Sequence, residues 1–153
     1  MDDRRGFSVS LDFGAFIPFV DHLGFTLEKF DGGESELHYA PLPEHCNSFG
    51  VLHGGAVMTF LDVIMATAAR SVQKDMGIVT IEMKTSFMRP APVTPGVPLV
   101  GRGKLLHRTR GMAFVEGSVL DAEGKLCAQS SGTFKYVARA ERPDHSKAPL
   151  PTD

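Results

Sequence analysis

The sequence predicts an α+β domain in which an antiparallel β-sheet packs against one long buried helix. Residues 54–69 contain no proline and are apolar on both faces, which is typical of a helix buried on all sides. Several extended stretches surround this segment in hairpin order, and strands joined in this way pair antiparallel. Because the strands outnumber the helices, we expect the helix to lie on the inner face of a single sheet.

A short helix and a β-hairpin are predicted before the central helix. Apolar side chains recur at helical spacing from Phe13 to Leu23, where Pro18 fits only in the first turn of a helix. The extended stretches 25–30 and 36–40 follow, and Asp31-Gly32-Gly33 separates them. Glycine tolerates the positive φ values of tight turns, so these stretches are expected to pair as a hairpin.

Four more strands are predicted after the central helix. Residues 79–87 alternate between apolar and polar side chains, which is the period of a half-buried strand. A proline-rich loop comes next, and the stretches 99–107, 112–120 and 126–137 are again extended in pattern. Turn-forming residues at 121–124 indicate that the last two strands form a hairpin.

Composition and length fit one globular domain. The 153 residues are 42% hydrophobic and 22% charged, an ordinary balance for such a domain. We expect this domain to span residues 13–138. Residues 1–12 are expected to be a flexible N-terminus, and residues 139–153, which have three prolines and no apolar periodicity, a flexible C-terminal tail.

Charge and cysteine content exclude several classes of partner. A net charge of −2 predicts no surface for nucleic acid or an anionic membrane, and no run reaches the roughly 20 apolar residues of a membrane span. Arg4-Arg5 resembles the start of a twin-arginine export signal, but charged residues, glycine and proline interrupt the stretch after it. Cys46 and Cys127 form no CxxC pair, and the histidines lack metal-ligand spacing. We expect a cytoplasmic protein without a metal.

The most informative stretch is 45–55, which leads into the central helix. A Gly54-Gly55 pair at a helix start leaves amide N–H groups unobstructed, and unpaired donors at a helix N-terminus suit a developing negative charge. Asp62 lies two turns further along among large apolar residues, where an unpaired carboxylate would be costly. These residues are therefore candidates for an oxyanion hole and a catalytic carboxylate.

The spacing of Gly54 and Asp62 limits how they can cooperate. They are eight residues apart, which is about 12 Å along a helix axis. A reacting carbonyl must lie about 3 Å from both its nucleophile and its oxyanion donors, so one helix cannot supply both. In a two-fold dimer with antiparallel helices, Asp62 of one subunit would face Gly54 of the other. The sequence thus predicts an active site shared between two subunits.

The motif Asn47-x-x-Gly50-x-x-His53-Gly54-Gly55, with Asp62 on the following helix, resembles that of the phenylacetic-acid-degradation (PaaI-like) branch of the hotdog-fold acyl-CoA thioesterases, in the 4HBT superfamily. The resemblance covers residues 25–137. It implies an antiparallel sheet wrapped around one helix, a homodimer that often pairs into a homotetramer, and hydrolysis of a CoA thioester to the free acid and CoA. The implied substrate is an acyl-CoA, and no cofactor is implied.

Roles for single residues follow from the same resemblance. Gly54 supplies the oxyanion amide, and Asn47 and His53 position the thioester or the attacking group. Thr80 matches a serine or threonine that helps to place the water in related enzymes. Asp62 acts as general base or as nucleophile, and the sequence leaves both routes open.

Binding of the CoA portion needs cations near the mouth of the site. Arg89, Arg108 and Arg110 are candidates because arginine matches phosphate geometry, although exposed turn arginines need no special cause. Gly55 is a candidate contact at the helix start. Apolar residues near the predicted cleft would accept aromatic or medium aliphatic acyl groups alike.

A second class of function remains open. A non-catalytic module of the same fold could bind acyl-CoA or an acyl carrier through the helix N-terminus. The complete set of Asn47, His53, Gly54 and Asp62 favours the enzyme. A serine hydrolase is excluded because the chain has no GxSxG motif, and a hotdog-fold hydratase because it has no Asp-x-Asn-Pro-x-His motif.

Overall fold

A computed structural model describes residues 10–139 of the chain. The helices and strands in this range, in chain order, are α1 (Pro18–Leu23), β1 (Thr26–Asp31), β2 (Glu34–Tyr39), a short 3-10 turn (Pro43–His45), α2 (Gly54–Arg70), β3 (Gly77–Phe87), β4 (Leu99–Arg108), β5 (Met112–Leu120) and β6 (Leu126–Val137). Every predicted element is present, and the ends of α2 and of the strands differ from the prediction by at most two residues. The apolar pattern that starts at Phe13 forms a helix only from Pro18 onward. Pro18 lies in the first turn of α1, as expected.

The predicted flexible termini fall mostly on residues 1–9 and 140–153, which lie outside the described range. Three residues of the predicted N-terminal segment, 10–12, are described. Leu11 N–H donates to Leu27 O at 2.8 Å, and Ser10 Oγ accepts from Leu27 N–H at 2.8 Å. This short segment therefore lies against β1.

One antiparallel sheet has the strand order β1-β2-β4-β5-β6-β3. The α2 helix contacts all six strands, so the sheet curves around it. The predicted α+β arrangement, with one long helix against an antiparallel sheet, is confirmed. In the described range, no helix has the length and apolarity that crossing a bilayer requires.

Close packing between α2 and the sheet depends on glycines in β4. A Cβ at Gly101 would lie 2.8 Å from Phe60 Cζ and would also overlap the Ile64 side chain. At Gly103 it would lie 2.6 Å from the carbonyl oxygen of Ile64. The same carbonyl accepts a hydrogen bond from Ser35 Oγ at 2.7 Å, which ties the middle of α2 to β2. The predicted inner face of α2 is buried at Val57, Phe60, Leu61, Ile64, Met65 and Ala68.

Burial differs from the prediction on the outer side of α2 and along β3. Met58 and Ala66 are only partly buried, although a helix buried on all sides was expected. Val79 and Ile81 of β3 are 44% and 54% exposed, although a half-buried strand was expected. The physical reason is the alternation of the strand, because Thr80 faces Asp62 on α2 and its neighbours Val79 and Ile81 therefore point to the other face of the sheet.

Candidate active site

His53, the residue directly before α2, caps the N-terminus of this helix. His53 is the N-cap residue, and its Nδ1 accepts a hydrogen bond from the Gly55 N–H at 2.8 Å. The carbonyl of His53 accepts from the N–H groups of Ala56 and Val57 at 2.9 and 3.1 Å. Within the described residues, the Gly54 N–H is left without an acceptor. Of the two predicted oxyanion donors, the N–H groups of Gly54 and Gly55, only that of Gly54 is available, because the Gly55 N–H donates to His53 Nδ1.

Asn47 shapes the loop that leads into α2. Its Oδ1 accepts hydrogen bonds from the N–H groups of Phe49 and Val51 at 2.9 and 3.3 Å, and its own N–H donates to Val51 O at 2.8 Å. Gly50 has φ +74°, a value that favours glycine, which explains its place in the motif. Because Oδ1 is used within the loop, the side-chain NH₂ is the group that Asn47 can offer to a ligand.

A hydrogen-bonded pair, the buried Tyr39 and the partly buried His45, anchors this loop. The Tyr39 hydroxyl lies 2.7 Å from His45 Nδ1, and the Leu42 N–H also donates to that nitrogen at 3.1 Å. Burial raises the pKa of Tyr39 to about 12, so the phenol stays protonated and serves as the donor. The main chain of His45 then accepts from His53 N–H at 2.9 Å, which connects the loop to the cap of α2.

A cavity of about 560 Å³ opens beside Gly54, and we call it the Gly54 cavity. Asn47 and Arg89 line it together with apolar side chains such as Val57 and Phe87. Arg89 is held in place by Asp121, whose Oδ2 lies 3.4 Å from Arg89 Nη1. Two candidate residues, Asn47 and Arg89, thus lie beside the free amide of Gly54.

A second cavity, of about 350 Å³, contains Asp62, and we call it the Asp62 cavity. Thr80 also lines it, and the Thr80 Oγ1 donates a hydrogen bond to Asp62 Oδ1 at 2.5 Å. Thr80 lies on β3 just before an irregularity in the pairing of that strand with β6. Thr80, which the resemblance assigned from its place in a strand, therefore contacts the candidate carboxylate directly.

Gly54 and Asp62 open on different cavities of the same chain. They lie on one continuous helix, α2, so its rigid rise keeps them about 12 Å apart along the axis. Another cavity, of about 250 Å³, also lies beside the start of α2 and is lined by His53 and Gly55. A single chain thus separates the candidate oxyanion donor from the candidate base.

Two of the three candidate arginines lie elsewhere. Arg108 Nη2 donates to Gln73 Oε1 at 3.0 Å, and its guanidinium lies 5.2 Å from the centre of the Tyr136 ring. Gln73 follows the C-terminal end of α2, which is roughly 25 Å from Gly54 for a helix of this length. Arg110 is exposed in the turn between β4 and β5. Within one chain, only Arg89 joins the Gly54 cavity.

Sequence reasoning did not single out Arg70, the last residue of α2. It is 8% exposed and lines the Asp62 cavity, where Nη1 donates to Phe13 O at 2.9 Å and Nε to Met76 O at 3.3 Å. Burial lowers the pKa of Arg70, and the nearby charge of Arg139 lowers it further. The sequence did contain a signal for this residue, because Arg70 and Asp62, eight positions apart, are the two charged residues of α2. In the described part of the chain, no three His, Cys, Asp or Glu side chains gather as a metal site would require.

Comparisons with known proteins identify the family of the chain. The model of the thioesterase superfamily (4HBT) matches residues 49–128, a range that contains the start of α2, Asp62 and Thr80. A Saccharolobus solfataricus protein that bears the name of an esterase is 33% identical over 123 residues, 80% of this chain and 83% of the relative. Human acyl-coenzyme A thioesterase 13 is 32% identical over 91 residues, 59% of this chain and 64% of the relative.

Solved structures share the fold. A phenylacetic acid degradation-related protein from Ralstonia eutropha has 28% identity and a TM-score of 0.72, covering 79% of this chain and 92% of that one. The PaaI protein of Escherichia coli has 18% identity and a TM-score of 0.73, covering 80% and 86%, and supports the fold alone. The fold and site define a hotdog-fold thioester hydrolase. The chain belongs to the thioesterase superfamily, and its resemblance to the PaaI-like branch is confirmed.

Proposed function

We propose that the protein hydrolyses an acyl-CoA thioester to a free acid and CoA at a site shared by two copies of the chain. The observation that carries this proposal is the separation of the Gly54 amide and the Asp62 carboxylate into two cavities along one helix. One thioester carbonyl cannot reach both within a chain. Two α2 helices in antiparallel order would bring the Gly54 cavity of one subunit against the Asp62 cavity of its partner.

The surface that such a dimer would use is available on each chain. The edge strand β3 has one side with no pairing strand among residues 10–139, and unpaired strand edges readily pair with a second copy. The adjacent side of α2 is half-buried at Met58 and Val63, next to Asp62. Joining two chains along β3 and α2 would cover apolar surface that a single chain leaves partly open.

The Gly54 N–H would stabilise the negative charge that develops on the thioester oxygen. This donor lies at the N-terminus of a helix of 17 residues, where the helix dipole favours an anion. The side-chain NH₂ of Asn47 lies on the same cavity and would add a second donor. His53 supports both by capping the helix through Nδ1.

The Asp62 carboxylate would either take a proton from an attacking water or attack the carbonyl carbon itself. In the first route, the water oxygen bonds to the carbonyl carbon, the C–S bond breaks, and CoA leaves as a thiolate that is then protonated. In the second route, an oxygen of Asp62 bonds to the carbonyl carbon, the C–S bond breaks and CoA leaves as a thiolate that is then protonated, and water opens the resulting anhydride to release the acid and the Asp62 carboxylate. The hydrogen bond from Thr80 would orient Oδ1 and leave Oδ2 for the reacting group. A thiolate leaves without much help from an acid, so a base and an oxyanion donor suffice.

Arg89 would bind a phosphate of CoA at the mouth of the Gly54 cavity. Its ion pair with Asp121 holds one side of the guanidinium, and the side chain is still 45% exposed. Arg108 and Arg110 lie near the C-terminal end of α2, and antiparallel pairing of α2 would bring that end towards the partner's Gly54 cavity. These two arginines are therefore secondary candidates for the CoA phosphates.

Free-thiol release from a panel of short, medium, long and aromatic acyl-CoAs tests the proposed reaction. We expect the wild type to release thiol and Asp62→Asn to lose at least about a hundredfold in kcat. Glu123→Gln is the matched control, because this carboxylate is exposed in a turn and pairs only with Lys125 in the described structure. Binding of acyl-CoA without thiol release from any member would instead support a non-catalytic acyl-CoA binding module.

Mixed subunits test whether the site is shared. Asp62→Asn and Gly54→Pro chains are each expected to be inactive alone, because each removes one half of every site. After unfolding and refolding together, half of the dimers are mixed, and each has one intact site, so about a quarter of wild-type activity should return. If the mixture stays as inactive as its components, the site does not lie between subunits.

A further inference from the structure

The Asp62 cavity is a groove that follows two turns of α2. Asp62, Ala66 and Arg70 recur every four residues on one face of the helix, and all three line the groove. The start of β3, at Ile78 and Thr80, forms the opposite wall. The helix rise places the carboxylate end and the guanidinium end about 12 Å apart along the axis. The volume, about 350 Å³, is in the range of small-molecule sites.

Two guanidiniums meet at the far end of this groove. Arg70 comes from α2, and Arg139 follows β6. Their Nη2 atoms lie 3.4 and 3.8 Å from the position that a Cβ on Gly14 would occupy. Because glycine has no Cβ, the space between the two cations stays open.

The positive charge at this end of the groove has no partner of opposite charge among the described residues. Among the residues from 10 to 139, no carboxylate forms an ion pair with Arg70 or Arg139. The carbonyl oxygens of Phe13 and Met76 accept hydrogen bonds from two of the five N–H groups of Arg70. These bonds give Arg70 a structural role, but they do not explain why Arg139 lies beside it. A buried cation next to a like charge is costly unless an anion joins them.

We propose that Arg70 and Arg139 bind a carboxylate at the distal end of the acyl group, so that the enzyme prefers the CoA thioesters of dicarboxylic acids. The inference rests on the proposed function, because that function places the thioester carbonyl at Asp62. The acyl chain between its two ends would lie along Ala66 and Ile78. Asp62 repels a second carboxylate at its own end, which favours a single orientation in the groove.

Matched pairs of substrates test this preference. The kcat/KM for adipyl-CoA is compared with that for hexanoyl-CoA, and suberyl-CoA with octanoyl-CoA. We expect the dicarboxylic member to be preferred by the wild type, and Arg139→Gln to lower the ratio within each pair about tenfold, since it removes a charge-assisted hydrogen bond. Arg70→Lys keeps the charge, loses the planar fork and should lower the ratio as well.

Arg102→Gln is the matched control, because this arginine pairs with Glu36 on β2, away from the groove, and should leave the ratio unchanged. A wild type that prefers the neutral chains, or an Arg139→Gln enzyme with an unchanged ratio, would overturn the proposal. A third result would also overturn it. If Arg139→Gln raises the KM equally for both members of a pair, and this rise disappears when the substrates are 3′-dephospho-CoA thioesters, the two arginines bind a CoA phosphate.

A binding measurement separates failure of this inference from failure of the proposed function. Monomethyl adipate, which has an ester in place of the thioester and one distal carboxylate, should raise the melting temperature of the wild type more than methyl hexanoate does, and Arg139→Gln should abolish that difference. This result is expected whether or not the protein releases thiol from any acyl-CoA. Equal shifts with the two esters would count against the carboxylate site, whereas absence of thiol release would count against the thioesterase alone.

Discussion

The Thr80 hydroxyl on β3 donates a hydrogen bond to the Asp62 carboxylate on α2, with 2.5 Å between Oγ1 and Oδ1. This bond crosses from the sheet to the helix at the one acidic residue of α2. It fixes the orientation of a carboxylate that would otherwise rotate about its last side-chain torsion. Asp62 is therefore held by its neighbour, and the second oxygen is left for the reaction that we propose.

Replacing Thr80 by valine keeps the shape of the side chain and removes the hydroxyl. We expect Thr80→Val to lower kcat about tenfold to a hundredfold with a small change in KM, because the loss affects orientation of the base more than binding. Steady-state thiol release measures both constants. Thr80→Ser keeps the donor and should retain most of the activity, and equal losses in the two variants would contradict this role.

The Gly54 amide can be deleted without breaking the helix. Gly54 is the first residue of α2, where proline is well tolerated, and His53 has ψ 135°, a value compatible with a following proline. Gly54→Pro should keep its melting temperature within a few degrees of the wild type and lose about a hundredfold to a thousandfold in kcat.

Gly54→Ala is the control for this amide. It retains the N–H, and its Cβ would lie 3.9 Å from the nearest atoms of Phe87, which is ordinary contact. Activity near the wild-type level in Gly54→Ala, with loss in Gly54→Pro, assigns the effect to the donor. If both variants retain activity, the oxyanion donor lies elsewhere.

Gly101 should tolerate no side chain. In Gly101→Ala the new methyl group would overlap Ile64 and approach Phe60 Cζ to 2.8 Å, so we expect a loss of about 1–3 kcal/mol in the free energy of unfolding. Urea titration measures this loss. Ile64→Val removes the Cδ1 atom and should recover part of the stability in the double variant. If the loss in free energy of unfolding of the double variant equals the sum of the two single losses, the new methyl group does not clash with Ile64.

Asp121 should make the fold sensitive to acid. Its pKa lies below the ordinary value, chiefly because the Lys125 N–H donates to Oδ1, with help from the Glu123 N–H and from the charge of Arg89. A carboxyl group with a lowered folded-state pKa stabilises the fold above its unfolded pKa, and this contribution is lost as the pH falls through the folded-state value.

The measurement for Asp121 is the urea midpoint from neutral pH to about pH 3. The wild type should be more stable than Asp121→Asn at neutral pH, and the difference should shrink as the solution becomes acidic. Glu123→Gln serves as the control, since its carboxylate is 74% exposed, and it should show little change at any pH. A wild-type advantage that grows on acidification would have the wrong sign for this account.

Periodicity and turn chemistry were sufficient to predict the elements of the fold. The boundaries of β5 and β6 agree with the structure, because their alternation ends at clear turn residues. The motif before α2 located the free amide of Gly54 and the carboxylate of Asp62. The helical spacing of those residues also predicted that one carbonyl cannot reach both within a chain, and in the structure they line different cavities.

Other features depend on contacts between distant parts of the chain. The exposure of Val79 and Ile81 could not be predicted, because alternation along a strand does not show which of its two faces packs against the helix. The use of the Gly55 amide by His53 depends on a side-chain rotamer at the helix cap. The pairing of Thr80 with Asp62 depends on the register of β3, which local patterns do not specify.

The sequence alone determined the order of elements, the buried face of α2 and the candidate residues, because these follow from local periodicity and from a contiguous motif. Only the tertiary structure decided which side chains meet across elements: Thr80 with Asp62, Arg89 with Asp121, and Arg70 with Arg139. The physical reason is that the rise of a helix fixes distances along itself, whereas distances between elements are set by strand register and by how closely the helix and the sheet can pack.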